Sequence, residues 1–273
     1  MIIISGDIVA RDKIVNQYPP NSLERKIADQ LASSKDVYKY DSLEQLNFDI
    51  KLRANIVRAA IELYESDVSF TTFRKSECNA DYWNRTDAGG FLLREDVKPS
   101  NAIKDIFINS SQYGTECATA IVIIYYRALV NILPEEIFNK MFPVIYLLGW
   151  QYISKNLYIE AYDNVTEFFI GDCQYFKNPD VSLITPELRG ENVINLGNGA
   201  YFGHGMGIKS ANGIIEVLND NRRIGATESA FLTEFATRLN SNQIFDKSNS
   251  FTSTMEAERY REIHRTYKSN IYY

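Results

Sequence analysis

The sequence predicts an α+β fold in which one long buried helix packs on an antiparallel sheet. Residues 117–130 are apolar at nearly every position, as in a helix that is enclosed on all sides. Two later segments, 168–179 and 189–197, each combine a glycine turn signal with a short run typical of a strand, which predicts neighbouring strands of one sheet. Helices and strands are segregated along the chain, and this favours α+β.

The first long helix is predicted to start after Ser42, which can cap it, with Gln45 completing a capping box. Apolar residues then recur at three- and four-residue steps as far as Tyr64, so one face of this helix should pack. Further elements are predicted along the chain: strands between residues 70 and 93, helices opening at Pro99 and Pro134, and a strand over 144–148.

Composition predicts one ordinary globular domain. The chain has 273 residues, of which 45% are hydrophobic and 23% charged, and both values are typical of soluble proteins. Since no linker-like change in composition comes before about residue 240, residues 1–240 are predicted to form a single domain. The more polar segment 241–273 is predicted to be a flexible tail.

Charge and cysteine content exclude several classes of protein. The net charge of −6 argues against a nucleic-acid-binding surface and favours basic or neutral partners. The chain starts without a signal-peptide pattern and its longest apolar run is too short for a bilayer, so we expect cytosolic synthesis and no membrane contact. Cys78, Cys117 and Cys173 show no metal-binding spacing, so their thiols are expected to be free.

Cys117 stands at the start of the long apolar helix. Thr115 is predicted to be the N-cap residue, which would place Cys117 at the second helical position. The positive end of a helix dipole favours an anion and lowers the pKa of a thiol there, so Cys117 is a candidate nucleophile. The alternative is a small buried cysteine without chemistry, which is the commoner situation.

The order of the motifs resembles that of NlpC-type papain-like cysteine peptidases. Those proteins place a cysteine on a helix, then a Gly-Asp turn such as Gly171-Asp172, and then a strand that opens with the catalytic histidine. Here Glu191 takes the place of that histidine. The resemblance implies a papain-like core in which the nucleophile helix packs on an antiparallel sheet, with extra helices added.

A closer resemblance is to the spore transglutaminase family of Bacillus-type bacteria. It rests on the motifs at residues 113–120, 175–179, 189–192 and 201–205, and it extends from residues 1–6 to residues 237–239. The family forms ε-(γ-glutamyl)lysine isopeptide bonds between spore coat proteins, through a cysteine thioester with release of ammonia. The resemblance implies the same activity in a monomer that needs neither calcium nor another cofactor, is made in the mother cell and associates with the spore coat.

This chemistry assigns Cys117 as the nucleophile and Glu191 as the general base. Burial of Glu191 or the nearby charge of Glu116 would raise the pKa of Glu191 from its low ordinary value, and both carboxylates would attract a lysine ammonium group. Because carboxylates also raise the pKa of a thiol, we expect a mostly neutral, hydrogen-bonded pair of Cys117 and Glu191 at rest. The alternatives are a solvated strand end for Glu191 and a helix-stabilising role for Glu116.

Four further positions follow from the resemblance. His204 would orient the base, with a structural histidine at a strand end as the alternative. Phe70 and Trp150 fall at tunnel-lining positions, where apolar walls keep water from the thioester, with ordinary core packing as the alternative. Leu188 stands where the family commonly has tryptophan, so we expect an opened wall and more glutamine hydrolysis relative to amine transfer.

Two other functions stay open. The first is an NlpC-type amidase or peptidase of cell-wall peptides, which usually requires a histidine where Glu191 stands. The second is a catalytically silent coat scaffold, against which the intact set of candidate residues counts. That set consists of Glu116, Cys117, Glu191 and His204.

Overall fold

The computed structural model describes the backbone of residues 1–269 and the side-chain surroundings of residues 1–255. The helices within that range are α1 (Arg11–Val15), α2 (Leu23–Ser33), α3 (Leu43–Tyr64), α4 (Pro99–Ile108), α5 (Cys117–Ile132), α6 (Glu135–Met141), α7 (Ala211–Asp220) and α8 (Ser241–Ser269). The strands are β1 (Ile2–Ile4), β2 (Asp7–Ile8), β3 (Tyr38–Tyr40), β4 (Ser69–Phe70), β5 (Trp83–Arg85), β6 (Phe91–Leu93), β7 (Gly114–Thr115), β8 (Tyr146–Leu147), β9 (Ile159–Tyr162), β10 (Cys173–Lys177), β11 (Gly190–Gly197), β12 (Ala200–Gly203), β13 (Gly207–Ser210) and β14 (Phe231–Leu239).

The largest sheet is antiparallel throughout and has the strand order β13-β12-β11-β10-β14-β9. The two strands predicted after the cysteine helix, β10 and β11, are direct neighbours in it. Smaller sheets have the orders β2-β1-β3, β5-β6-β8 and β4-β7. Helices packed on a separate antiparallel sheet confirm the predicted α+β class.

Helix α5 lies at the centre of the molecule, packed between α3 and the large sheet. Each residue from Ala118 to Tyr126 is at most 9% exposed, which confirms the helix enclosed on all sides. Burying one such aliphatic side chain stabilises a fold by about 1.5–3 kcal/mol. The hydroxyl of Tyr125 also donates to the carbonyl of Thr237 in β14 at 3.2 Å. The close packing of α5 therefore holds its N-terminus in a fixed position.

A buried ion network joins α3 to the sheet. Asp172 is fully buried and accepts from Arg53 Nη1 at 3.0 Å and from Arg238 Nη2 at 2.8 Å. Arg53 comes from α3 and Arg238 from β14, so Asp172 links two elements that are far apart in sequence. The sequence analysis assigned Asp172 to a turn only. The turn is present, since Gly171 has a φ of +88°. The carboxylate of Asp172 is in addition the shared acceptor of the buried ion network.

The predicted helix after Ser42 is confirmed, with one change at its start. Ser42 Oγ accepts from the N–H of Gln45 at 3.2 Å, as an N-cap should. Gln45 Oε1, however, accepts from the N–H of Asp41 at 2.7 Å, so the return bond of the capping box falls one residue earlier than predicted. Helix α4 begins at the predicted Pro99, and α6 begins directly after Pro134, which is its N-cap residue. The strand predicted over 144–148 is shorter, as β8.

The segment predicted as a flexible tail begins as helix α8. Ile244 is fully buried, and Phe251 and Met255 pack against the main hydrophobic core. These residues and the buried Ser248 recur at three- and four-residue steps, which places them on one face of α8, against α3 and α6. Because the segment 241–273 is polar overall, this spacing of buried residues was not recognised in the sequence. The last residues of the predicted tail, 270–273, lie outside the described part of the chain.

A search of the helices in the described part of the chain found none with the length and apolar character needed to cross a bilayer.

Candidate active site

Cys117 is the first residue of α5, and Glu116 is its N-cap residue. The carboxylate of Glu116 accepts from the N–H of Ala118 at 2.6 Å and from that of Thr119 at 2.7 Å. The predicted cap at Thr115 is wrong, because Thr115 belongs to the short strand β7 and is buried there. The side chain of Glu116 caps the first turn of α5 instead, so Cys117 occupies the first helical position and not the predicted second one.

Cys117 faces a cavity of about 760 Å³. The predicted tunnel residues Phe70 and Trp150 both line this cavity, and each is 37% exposed. Most of the wall is apolar or aromatic, with Glu116 beside the thiol. The remaining lining residues are Thr71, Thr72, Phe73, Ala118, Gly149, Gln151, Tyr175, Pro186, Glu187, Arg189, Gly190, Asn192 and Phe235.

Asn192 makes the hydrogen bond to the thiol. Its Nδ2 donates to Cys117 Sγ at 3.5 Å, within the range for sulfur acceptors. Asn192 lies opposite Tyr175 in the pairing of β11 with β10, and both residues line the cavity. Asn192 was not predicted from the sequence. Glu191 was expected beside Cys117, and strand alternation would have placed the next residue, Asn192, on the opposite face, so no sequence signal pointed to it.

Glu191 is a buried acid. Its side chain is 1% exposed, and Oε1 has no hydrogen-bond partner among the described residues. Burial and, second, the charge of Glu116 raise the pKa of Glu191 well above its ordinary value, although the backbone N–H of His204 favours the ionised form. The alternative of a solvated strand end is therefore wrong. Glu191 lies outside the lining of the cavity, which leaves the carboxyl in the protein interior.

The thiol of Cys117 is expected to be protonated at rest. Burial, then the charges of Glu191 and of Glu116, raise its pKa to about 12, while the Asn192 hydrogen bond works in the opposite direction. Burial and the two carboxylates therefore outweigh the position at the start of α5, and the thiol is neutral at rest, as expected. The expected hydrogen bond between Cys117 and Glu191 is absent among the described residues. The hydrogen bond to the sulfur comes from Asn192.

His204 is buried and contacts the chain just before the nucleophile helix. Its Nε2 lies 3.2 Å from the carbonyl oxygen of Ser69 in β4, and β4 pairs with β7, the strand that leads to Glu116 and Cys117. Burial lowers the pKa of His204, so the ring is neutral near pH 7. The ring holds the β4 backbone, and the contact of His204 with Glu191 is made by the backbone N–H.

Leu188 does not lie on the wall of the cavity. It sits in a 3₁₀-helical turn, Pro186–Arg189, and packs on the hydrophobic cluster around Phe176 and Val193. Its neighbours Glu187 and Arg189 line the cavity instead. The expected opening of a wall by Leu188 is therefore wrong. In a 3₁₀-helix with three residues per turn, Pro186 and Arg189 share one side, toward the cavity, and Leu188 faces away from it.

The described residues contain no group of three or more histidine, cysteine, aspartate and glutamate side chains with the spacing of a metal site. The three cysteines, Cys78, Cys117 and Cys173, are free thiols, as predicted.

Comparisons with known proteins agree on one family. Residues 1–248 match the family model described as protein-glutamine gamma-glutamyltransferase. Relatives with that name from Bacillus cereus (strain B4264) and Bacillus mycoides (strain KBAB4) are 42% and 41% identical over 252 and 244 residues. These alignments cover 92% and 89% of this chain and 91% and 88% of the relatives.

A solved structure gives the same result. A transglutaminase from Geobacillus stearothermophilus, without its C-terminal extension, matches with a TM-score of 0.72 and 45% sequence identity, covering 76% of this chain and 97% of that one. Fold and sequence together define an acyltransferase of the transglutaminase class. The chain belongs to the protein-glutamine gamma-glutamyltransferase family, as its motifs predicted.

Proposed function

We propose that the protein cross-links spore coat proteins by joining glutamine to lysine side chains through a thioester on Cys117. The observation that carries this proposal is the placement of the Cys117 thiol. It stands at the start of a helix, faces a cavity of about 760 Å³ and is coupled electrostatically to the buried acid Glu191. The cavity is large enough to admit a side chain.

In the first step Cys117 Sγ attacks the carboxamide carbon of a glutamine. Burial favours the neutral acid, so the reaction starts from the fraction of molecules in which Glu191 is ionised. In these molecules the thiol proton passes to the carboxylate of Glu191 as the C–S bond forms. Glu191 then gives this proton to the departing nitrogen, the C–N bond breaks, and ammonia leaves. The product is a thioester between Cys117 and the glutamyl group.

The developing oxyanion requires hydrogen-bond donors at the start of α5. Glu116 already occupies the N–H groups of Ala118 and Thr119, which leaves the N–H of Cys117 as the helix amide for this task. Asn192 Nδ2 carries two hydrogens, one of which points to Sγ. We assign both groups to the oxyanion, since each lies next to the attacking sulfur.

In the second step the amine of a lysine attacks the thioester. The lysine ammonium first loses one proton to solvent. The amine then loses a second proton to Glu191 as the C–N bond forms, and this proton passes to the sulfur when the C–S bond breaks. Glu116, which lines the cavity, attracts the incoming ammonium group. Phe70 and Trp150 keep water away from the thioester, because hydrolysis would convert the glutamine to glutamate.

The proposal also includes the cofactor requirement, the oligomeric state and the location of the enzyme. Side chains and backbone groups of this chain can perform every step, so we propose that the reaction needs neither calcium nor another cofactor. We also propose that the enzyme acts as a monomer. The resemblance of the motifs to the spore transglutaminase family leads us to propose synthesis in the mother cell and association with the spore coat.

The test is incorporation of a labelled primary amine into casein in the presence of a chelator. Mass spectrometry should show addition of the amine with loss of one ammonia per modified glutamine. Cys117→Ala should abolish incorporation, and the control Cys78→Ala should retain it, because Cys78 lies outside the cavity. Incorporation that persists in Cys117→Ala, or that stops with chelator, would contradict the mechanism. Inactivity of the wild type would favour a scaffold.

A further inference from the structure

The three most exposed large apolar side chains of residues 1–255 lie on two loops beside the cavity. Leu183 is 94% exposed, Ile184 is 90% exposed, and Ile224 is fully exposed. Side chains this exposed contact almost nothing within the protein, so burying them against another molecule would remove nearly their whole apolar surface from water. We call these three residues the docking tips.

One of the two loops leads directly into the wall of the cavity, and hydrogen bonds join the other loop to it. Pro186, which lines the cavity, is two residues after Ile184, so their Cα atoms are within about 7 Å of each other. On the other loop, Arg223 N–H donates to the carbonyl of Asp180 at 2.8 Å, just before Ile224. The segment that carries Asp180 is joined in turn to the cavity wall, because Asn178 N–H donates to the carbonyl of Arg189 at 2.8 Å.

Hydrogen bonds hold both loops in place. Asp180 accepts from Arg223 Nη2 at 2.7 Å and from the N–H groups of Thr227 at 2.8 Å and Glu228 at 2.9 Å. The N–H of Ser182 donates to the carbonyl of Asn221 at 2.9 Å. These bonds fix the backbone of the two loops relative to each other, which reduces the backbone entropy lost when a partner binds.

We propose that the docking tips bind apolar residues flanking the reactive glutamine in the glutamine-bearing protein substrate. This inference rests on the proposed function of the cavity. A glutamine side chain is neutral and short, so its protein must lie against the mouth of the cavity for the carboxamide to reach Cys117. Lysine, in contrast, carries a charge that Glu116 and Glu187 on the wall can attract. Apolar contact beside the mouth thus supplies affinity that the glutamine itself lacks.

Kinetics with two glutamine substrates test the inference. Dimethylated casein, whose lysines are blocked, serves as the protein substrate, and a glutaminyl-glycine dipeptide serves as the small one, each with a saturating small amine. In the double variant Leu183→Ser/Ile184→Ser and in Ile224→Ser, KM for casein should rise roughly tenfold, since burial of one aliphatic side chain is worth at least that factor. The kinetics of the dipeptide should not change.

Ile108→Ser is the matched control, because Ile108 is 76% exposed at the end of α4 and lies outside the cavity. It should leave both substrates unaffected. An equal loss with casein and dipeptide, no change with either, or a rise in KM only for a lysine-bearing protein would overturn the proposal. So would a wild-type dimer that the variants convert to monomers.

Binding separates this inference from the proposed function. Casein binding to Cys117→Ala should weaken roughly tenfold when the docking tips carry serine, whether or not any glutamine reacts. If casein binding were retained, the proposed role of the docking tips would be refuted and the proposed chemistry would stand. Failure of the wild type to modify casein, with tip-dependent binding intact, would refute the proposed chemistry alone.

Discussion

Gly203 in β12 lies directly against the side chain of Glu191 in β11. A β-carbon at position 203 would come within 2.9 Å of Glu191 Cγ and 3.0 Å of its Oε1. The missing side chain at Gly203 is therefore what leaves room for the buried acid. Next to it, Gly190 makes room in the same way for the ring of Tyr175, whose hydroxyl oxygen would be 2.1 Å from a β-carbon.

Gly203→Ala should displace the carboxyl of Glu191. We expect kcat to fall roughly 10- to 100-fold, because a shift of about 1 Å at a reacting group has effects of that size. Overpacking should also lower the free energy of unfolding by about 1–3 kcal/mol. Amine incorporation and chemical denaturation measure the two effects. Gly213→Ala, on the surface-facing helix α7, is the control and should keep full activity.

Glu191→Gln should make Cys117 react at lower pH. A carboxylate near a thiol disfavours the thiolate and raises its pKa, so removing the charge lowers the pKa from about 12. Burial remains, and the pKa should stay above its ordinary value of 9.0. The rate of iodoacetamide alkylation against pH measures this shift. Activity should fall by roughly 10²–10⁴, and an unshifted alkylation profile would show that Glu191 does not act on the thiol.

Asn192→Ala should weaken both the nucleophile and the proposed oxyanion site. The Asn192 hydrogen bond lowers the pKa of Cys117, so alkylation at a fixed pH should become slower. A hydrogen bond to a charged group contributes about 1.5–3 kcal/mol, which predicts a loss of roughly 10- to 100-fold in kcat with little change in KM. Gln151→Ala removes another amide from the cavity wall and should have a small effect. Equal losses in both variants would argue against a specific role.

Two variants of Glu116 separate its two possible roles. Glu116→Ala removes the N-cap of α5 and should lower the free energy of unfolding by about 0.5–2 kcal/mol. Glu116→Gln loses the charge but keeps one of the two oxygens that accept from the N–H groups of Ala118 and Thr119, so it should destabilise the fold less than Glu116→Ala. If the charge attracts the ammonium group, KM for a primary amine should rise more in Glu116→Gln than its loss of stability would explain, by several-fold. An unchanged KM would leave only the structural role.

Asp172→Ala should destabilise the whole fold. It leaves Arg53 and Arg238 as buried charges without their shared partner, and breaking such an arrangement costs about 3–5 kcal/mol. The control Asp29→Ala removes an exposed pair with Arg11 and should cost at most about 1 kcal/mol. Urea denaturation measures both. A small loss for Asp172→Ala would mean that water reaches the network.

Local sequence patterns predicted the elements but missed how some of them end or pack. The apolar run after Cys117 predicted α5, but the cap fell at Glu116 because Thr115 is held in β7. Asn192 escaped notice since nothing nearby in sequence shows that the sulfur of residue 117 lies beside it. The packing of α8 was hidden because its apolar face is narrow and the partners on α3 and α6 are distant in sequence.

The sequence by itself determined the α+β class, the cysteine at the start of a buried helix, the two adjacent strands and the family. The periodicity of apolar residues indicates which residues face a common side, and short motifs indicate the family. The tertiary structure alone decided the burial of Glu191, the raised pKa of Cys117, the cavity with its docking tips, and the displacement of Leu188 from the wall. Burial, interactions between charges and the walls of a cavity all depend on contacts between segments that are distant in sequence. Local sequence patterns do not report those contacts.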